Sequence, residues 1–130
     1  IIQSIKSATK NIKICVFTIS DNDITDAIIA AHKKGVSVKV ITDNDKLNDR
    51  GSDIRTIADA GIIVKIDETA SHMHHKFCII DKKVLLTGSY NWTRSAAERN
   101  QENLLVTEDV KMVKSYLNEF EKLWDQFVVF

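Results

Sequence analysis

The sequence predicts an α/β fold, a layered mixed β-sheet flanked by helices, and three observations predict it. Short apolar runs of strand length alternate with stretches of helical period through the first half of the chain. Two further apolar runs are separated only by Lys82-Lys83, close enough for a hairpin. The chain then closes on a long amphipathic helix suited to lie on a sheet.

Taken in order, "NIKICVFTI" reads as a buried strand. "DNDITDAIIAAHKKG" places Ile24, Ala27, Ile28 and Ala31 at helical intervals, with acidic and Asn residues at its start and Gly35 as its stop. "VSVKVITD" is a strand with Val36, Val38 and Val40 on one face. "SDIRTIADAG" is a second helix, with Ser52 as its expected cap and Ile54, Ile57 and Ala58 facing inward. "IIVKID" is a third strand. This β-α-β-α-β opening implies parallel strands joined by right-handed crossovers. "KFCIID" and "KVLLTGS" form the hairpin, and "ENLLVTE" is one more strand. The closing stripe of Val110, Val113, Leu117, Phe120, Trp124 and Phe127 has a heptad-like rhythm, but packing on the sheet suits it better than a coiled coil.

The 130 residues are expected to form one domain, 1–130, long enough for a real core. The 18 basic and 18 acidic side chains cancel, so affinity for any polyanion must come from a local patch. No run approaches the roughly 20 apolar residues of a membrane span. The chain opens without an initiator Met, so residues upstream are expected, and the sequence is silent on targeting. Cys15 and Cys78 each lie within an apolar run and read as buried free thiols.

Chemistry concentrates in "SHMHHKFCIIDKKVLLTGSYNWT", residues 71–93, which holds three of the four histidines. On a strand His74 and Lys76 point the same way, about 6.6–7 Å apart at the backbone. An imidazole beside a fixed cation suits a phosphate: the ring attacks or relays a proton while the ammonium holds the charged oxygens. Asp81 follows Lys76 after four apolar residues, then "GSYN" supplies Ser89 and Asn91, and "NQEN" supplies Glu102. Each has a plainer reading alone. His74 caps a strand, Ser89 belongs to a turn, Asn91 caps the short helix at "WTRSAAE", and Glu102 is a solvated strand end. Together their spacing is specific.

That spacing, H-x-K-x4-D-x6-G-S-x-N at His74, Lys76, Asp81, Gly88, Ser89 and Asn91, resembles the signature of the phospholipase D superfamily without a departure. The surrounding wording is similar to the small single-motif members, the bacterial endonucleases and the Zucchini/mitochondrial cardiolipin hydrolase group. The Cys/His zinc insert of the animal Zucchini proteins has no counterpart here, which favours the nuclease branch. The resemblance implies a metal-independent phosphodiesterase without cofactor, in which His74 is the nucleophile and forms a phosphohistidine. Lys76 and Asn91 would hold the phosphate oxygens and Ser89 would support that network. Glu102 would accept from the ring N–H of His74. Asp81, of opposite strand parity to Lys76, is expected to anchor the motif structurally. With only one motif in the chain, the second histidine is expected from a homodimer whose active site lies on the two-fold axis.

The expected substrate is nucleic acid, DNA or RNA, bound by a cationic groove of Lys82, Lys83, Arg94 and Arg99. The alternative is a phospholipase D or cardiolipin hydrolase acting on phospholipid head groups, which would want an exposed apolar rim or an anchor. A non-catalytic scaffold fits least. A competing use of "HMHH" makes His72 and His74 metal ligands with Asp67 or Glu68, but no second Cys/His cluster completes the set. "DNDKLND" at 43–49 lacks the Gly and terminal Glu of a calcium loop. His32 reads as a surface residue.

Overall fold

Every apolar run of the sequence finds a place in one mixed sheet in the computed structural model, which describes residues 1–46 and 48–130. In chain order the elements are α1 (Ile2–Ser7), β1 (Asn11–Val16), α2 (Asn22–Lys33), β2 (Ser37–Asp43), a 3₁₀ turn (Asn44–Lys46), α3 (Ile54–Asp59), β3 (Ile63–Asp67), β4 (Lys76–Ile80), β5 (Val84–Gly88), α4 (Arg94–Glu98), β6 (Leu104–Thr107), α5 (Val110–Gln126) and β7 (Val128–Val129). Among the described residues the strands form a seven-stranded sheet in the order β6-β5-β4-β1-β2-β3-β7.

The β-α-β-α-β opening gives the parallel pairs β1–β2 and β2–β3. β4 then enters antiparallel on the other side of β1, and β5 and β6 continue as an antiparallel meander. Because β4 runs opposite to β1, its first residue, Lys76, pairs with Val16 at the C-terminal end of β1. The end of β5 at Gly88 reaches the same rim of the sheet. That rim collects the motif residues.

Side-chain alternation along β1 divides the core. Ile12, Ile14 and Val16 join Ile24, Ile28, Ile54 and Ile57 under α2 and α3. Cys15 joins Phe77, Ile79 and Leu85 under Val113 and Phe120 of α5. Lys13, 7% exposed, also faces α5. Its ammonium pairs with Glu121 at 3.0 Å and lies 5.2 Å from the Phe120 ring centre, so a buried charge is matched by a carboxylate and an aromatic face. Both cysteines are free and buried, and burial pushes both thiols up.

Several sequence expectations are corrected in detail. α1 and β7 are too short to leave a periodic signal. Asp53 rather than Ser52 takes the cap position of α3, and its carboxylate accepts from the Thr25 hydroxyl at 2.7 Å. Val110 opens α5 before the helix reaches the sheet and is 79% exposed, so it leaves the packed stripe. Phe127 is the C-cap residue, just past the helix. The stretch at 43–49 is the end of β2 and a 3₁₀ turn, with Leu47 outside the described residues.

Candidate active site

The loop after β3 delivers His74 to the rim, and β4 begins two residues later. Lys76 Nζ lies 2.9 Å from His74 Nδ1 and donates to the His74 carbonyl oxygen at 2.6 Å. The Phe17 ring backs both groups, 4.6 Å from the imidazole centre and 5.3 Å from the ammonium. Burial, then the charge of Lys76, lowers the pKa of His74 below its ordinary value. Burial likewise lowers that of Lys76, against the pull of Glu102. The imidazole is therefore biased toward the neutral form that can attack.

Ser89, Glu102 and Asn103 are tied across the β5–β6 pair. Ser89 Oγ donates to Glu102 Oε1 at 2.5 Å, and Asn103 N donates back to Ser89 Oγ at 3.1 Å. Asn100 Nδ2 donates to the other Glu102 oxygen at 3.1 Å. The bonds from Ser89 and then Asn100 hold the Glu102 carboxyl below the usual carboxylate range. The expected bond from the His74 ring to Glu102 is accordingly not made within this chain. Glu102 is committed on the β6 side, while His74, two strands away, turns to Lys76 and Phe17. Glu102 acts on Lys76 through its charge.

Asn91 does not cap α4; Thr93 does, accepting from Ala96 N at 3.1 Å. Asn91 instead accepts through Oδ1 from Thr18 N at 3.2 Å, which fixes the amide so that its NH₂ group remains to donate. Asp81 sits at the far end of β4. Its carboxylate accepts from the backbone N–H groups of Thr9 (3.0 Å), Lys10 (2.7 Å) and Asn11 (3.0 Å), binding the hairpin to the start of β1. Burial alone would raise its pKa, but these bonds together lower it. Asp81 thus anchors the frame and makes no contact with the rim.

Of the four cations expected to line a groove, two lie away from the motif and a third is paired. Lys82 and Lys83 belong to the β4–β5 turn, a strand's length from Lys76. Arg94 is held by Asp23 at 2.8 Å and Glu98 at 3.4 Å, with Asp21 at 3.8 Å. Nearness in sequence was misleading because a hairpin sends its turn to the opposite end of the sheet.

The metal alternative also changes partners. His72 stands 3.3 Å from Asp45 and 3.7 Å from Asp43 rather than beside Asp67, whose carboxylate accepts from Thr69. Asp43, Asp45 and His72 are the one group with cation-site spacing among the described residues. Both Asp43 oxygens already accept backbone N–H groups, from Asp45 and Met73.

Among the cavities that border the motif, two meet Ser89 or Glu102. One of about 640 Å³ is lined by His74, Lys76 and Ser89 on one side and by Ser115, Tyr116 and Glu119 of α5 on the other. Sequence reasoning missed this α5 wall, because its polar residues lie on a helix read only for its apolar stripe. The second, about 600 Å³, runs between Ile2, Ile24, Tyr90 and Ala97 and is closed by Glu102 and Leu104. Beyond Glu102, strand β6 exposes Leu104, Leu105 and Val106 (39%, 47% and 53%) at the edge of the sheet.

Residues 1–124 match the family model described as cardiolipin synthase, PLD-like domain. The chain is 52% identical over 121 residues to the mitochondrial cardiolipin hydrolase of Chlamydomonas reinhardtii, covering 93% of this chain and 54% of that protein. It is 42% identical over 127 residues to that of Homo sapiens, covering 98% and 50%. The chain therefore spans about half the length of these curated relatives. Its fold superposes on Nuc of Salmonella typhimurium, described as a phospholipase D family member, with a TM-score of 0.92 and 31% identity over 99% of this chain and 87% of that one.

Proposed function

Since the chain belongs to the phospholipase D-like family, we propose that it is a phosphodiesterase whose preferred substrate is a phospholipid of the cardiolipin type. The observation that carries the lipid reading is the exposed apolar run Leu104-Leu105-Val106, which begins two residues after Glu102 and borders the motif. Such a run at a sheet edge is costly in water and useful against an acyl surface. The cavity beside Glu102 shares Leu104 with that run and sets Ile2, Ile24 and Ala97 beside Asp21 and Asn100 in its wall. A polyanionic strand would instead want several free cations along its path, and of the four expected to supply them Lys82 and Lys83 lie elsewhere and Arg94 is paired. The names of the curated relatives point the same way. Nucleic acid, the substrate expected from the sequence, stays as the second reading because of the close superposition on Nuc.

In the proposed reaction His74 attacks phosphorus and forms a P–N bond. The P–O bond to the leaving alcohol breaks as that oxygen takes a proton from His74 of a second copy across a two-fold axis. Water then cleaves the P–N bond, giving its proton to that second imidazole and regenerating His74. Lys76 and the Asn91 amide donate to the phosphate oxygens, and Ser89 with Glu102 keeps a negative charge close to Lys76.

The test is hydrolysis of cardiolipin vesicles beside single-stranded RNA and DNA, with His74→Ala as control. Phosphatidic acid and phosphatidylglycerol should appear from cardiolipin, with nucleic acids cut more slowly. Cleaved nucleic acid with intact cardiolipin would replace the lipid reading. Leu105→Asp should slow vesicle turnover several-fold while a soluble phosphodiester is cleaved normally. If the variant becomes monomeric, the apolar edge belongs to the subunit interface instead.

A further inference from the structure

The cavity that opens on His74 and Lys76 holds a second imidazole with a different neighbour. His75 has the opposite strand parity and faces α5, where its Nε2 lies 3.1 Å from Glu119 Oε2. The ring is also held edge-on against Phe77, 5.4 Å between centres, and Phe77 in turn packs on Tyr116. Glu119 is paired with Lys122 at 3.4 Å. Burial would raise its carboxyl, but the bonds from His75 and Lys122 hold it below the ordinary value, so it stays charged. A charged carboxylate only accepts, so in the neutral imidazole it fixes the proton on Nε2 and leaves the His75 Nδ1 lone pair as an acceptor.

An acceptor is of no use to phosphate, whose oxygens only accept as well. It serves a donor on the group attached to the phosphate. An ammonium would be drawn to a free carboxylate, but Glu119 already balances Lys122 and orients His75. A neutral hydroxyl fits what remains.

We propose that His75, held in one tautomer by Glu119 as a positioning residue, binds a hydroxyl on the alcohol esterified to the scissile phosphate. The site thereby selects polyol phosphodiesters over their deoxy counterparts. The proposal rests on the phosphodiesterase reading, but either a lipid glycerol or a ribose 2′-hydroxyl would supply the same chemistry.

The test measures binding apart from turnover. Glycerol 1-phosphate, n-propyl phosphate and phosphoethanolamine are titrated into the full chain while histidine ring nitrogens are followed by NMR. Glycerol phosphate should bind about tenfold more tightly than propyl phosphate, the upper range for one hydrogen bond, and should shift His75 Nδ1. His75→Phe keeps the ring packed against Phe77 and should abolish the preference, as should His75→Ala. Glu119→Ala should convert His75 to a mixture of tautomers, a signal that loss of packing alone would not give. Equal binding of glycerol and propyl phosphates, or no measurable binding of glycerol phosphate, overturns the proposal. So does a preference that survives His75→Phe, or tighter binding of phosphoethanolamine. Turnover then separates the sources. Faster cleavage of phosphatidylglycerol than of phosphatidylpropanol, lost in His75→Phe, assigns the hydroxyl to lipid. Faster cleavage of RNA than of DNA, lost in the same variant, assigns it to ribose. The second result would sink the lipid function and leave the hydroxyl site standing.

Discussion

The main chain of Asn103 occupies the space that a side chain on Gly88 would need. A Cβ at Gly88 would collide with the carbonyl of Asn103, and backbone cannot move aside as a flexible side chain can. The motif's glycine is therefore required by the approach of β6, and through that approach it sets the Ser89–Glu102 bond. Gly88→Ala should push β6 away, lowering the melting temperature and turnover together. A variant of unchanged stability with normal activity would show that β6 does not hold the site.

Asp81 offers a contrasting case, in which stability should change and chemistry should not. Asp81 and Lys82 both have positive φ (54° and 56°), a conformation Asn also tolerates, so Asp81→Asn removes the charge and keeps the turn. The loss should be about 1–2 kcal/mol, by the worth of hydrogen bonds to a charged acceptor. Because the folded-state pKa is depressed, this stabilisation is fully present above the ordinary value of 3.8 and is lost as pH falls through the folded value. Wild type and variant should thus converge in stability in acid, while kcat at neutral pH stays equal. A denaturation series against pH reads both.

The activity profile should be bell-shaped. His74 must be neutral to attack, and burial with the Lys76 charge lowers its pKa, so the acid limb should lie below 6.5. The facing His74 must be protonated to release the alcohol, so the alkaline limb belongs to the same coupled pair and comes well before Lys76 loses its charge. Measuring kcat/KM across pH tests both limbs. A rate that climbs without limit into base would favour hydroxide as the nucleophile.

Chelation should leave the rate intact if, as proposed, His74 and Lys76 supply the nucleophile and charge for which other phosphodiesterases use metals. Activity abolished by EDTA and restored by one divalent ion would overturn the phosphohistidine route.

A shared site on a two-fold axis makes a quantitative demand. Refolding wild type with an equal amount of His74→Ala should leave about a quarter of dimers with both imidazoles, by random pairing. Turnover should drop to that fraction once subunit exchange is confirmed by mass. Half the activity would mean that each chain works alone.

The sheet was legible because strands buried on both faces, as in Ile12–Val16, read as short near-continuous apolar runs, set apart by length from the 3.6-period helices between them. The motif was legible because its spacing is rigid. What the sequence did not disclose follows from geometry that crosses elements. The partner of Glu102 depends on how β6 pairs with β5, and a linear reading aimed it at His74. Lys82 and Lys83 look close to Lys76 until the strand between them is extended. His75 and Glu119 are 44 positions apart, and only the docking of α5 brings them together.

That docking has a mechanical side. α5 leaves the sheet at β6, one edge, and hands the chain to β7 at the other. Its 17 residues extend about 25 Å, nearly the width of seven strands about 4.8 Å apart. Near its end Lys65 of β3 donates to the Trp124 carbonyl at 2.6 Å, a rivet at the far margin. The helix is thus a strap buckled at both margins, and no strand beneath it can peel away alone. Amides of β4, β1 and β2 should exchange with solvent together, in one cooperative opening, and the rim that carries the motif inherits its rigidity from the whole girdle.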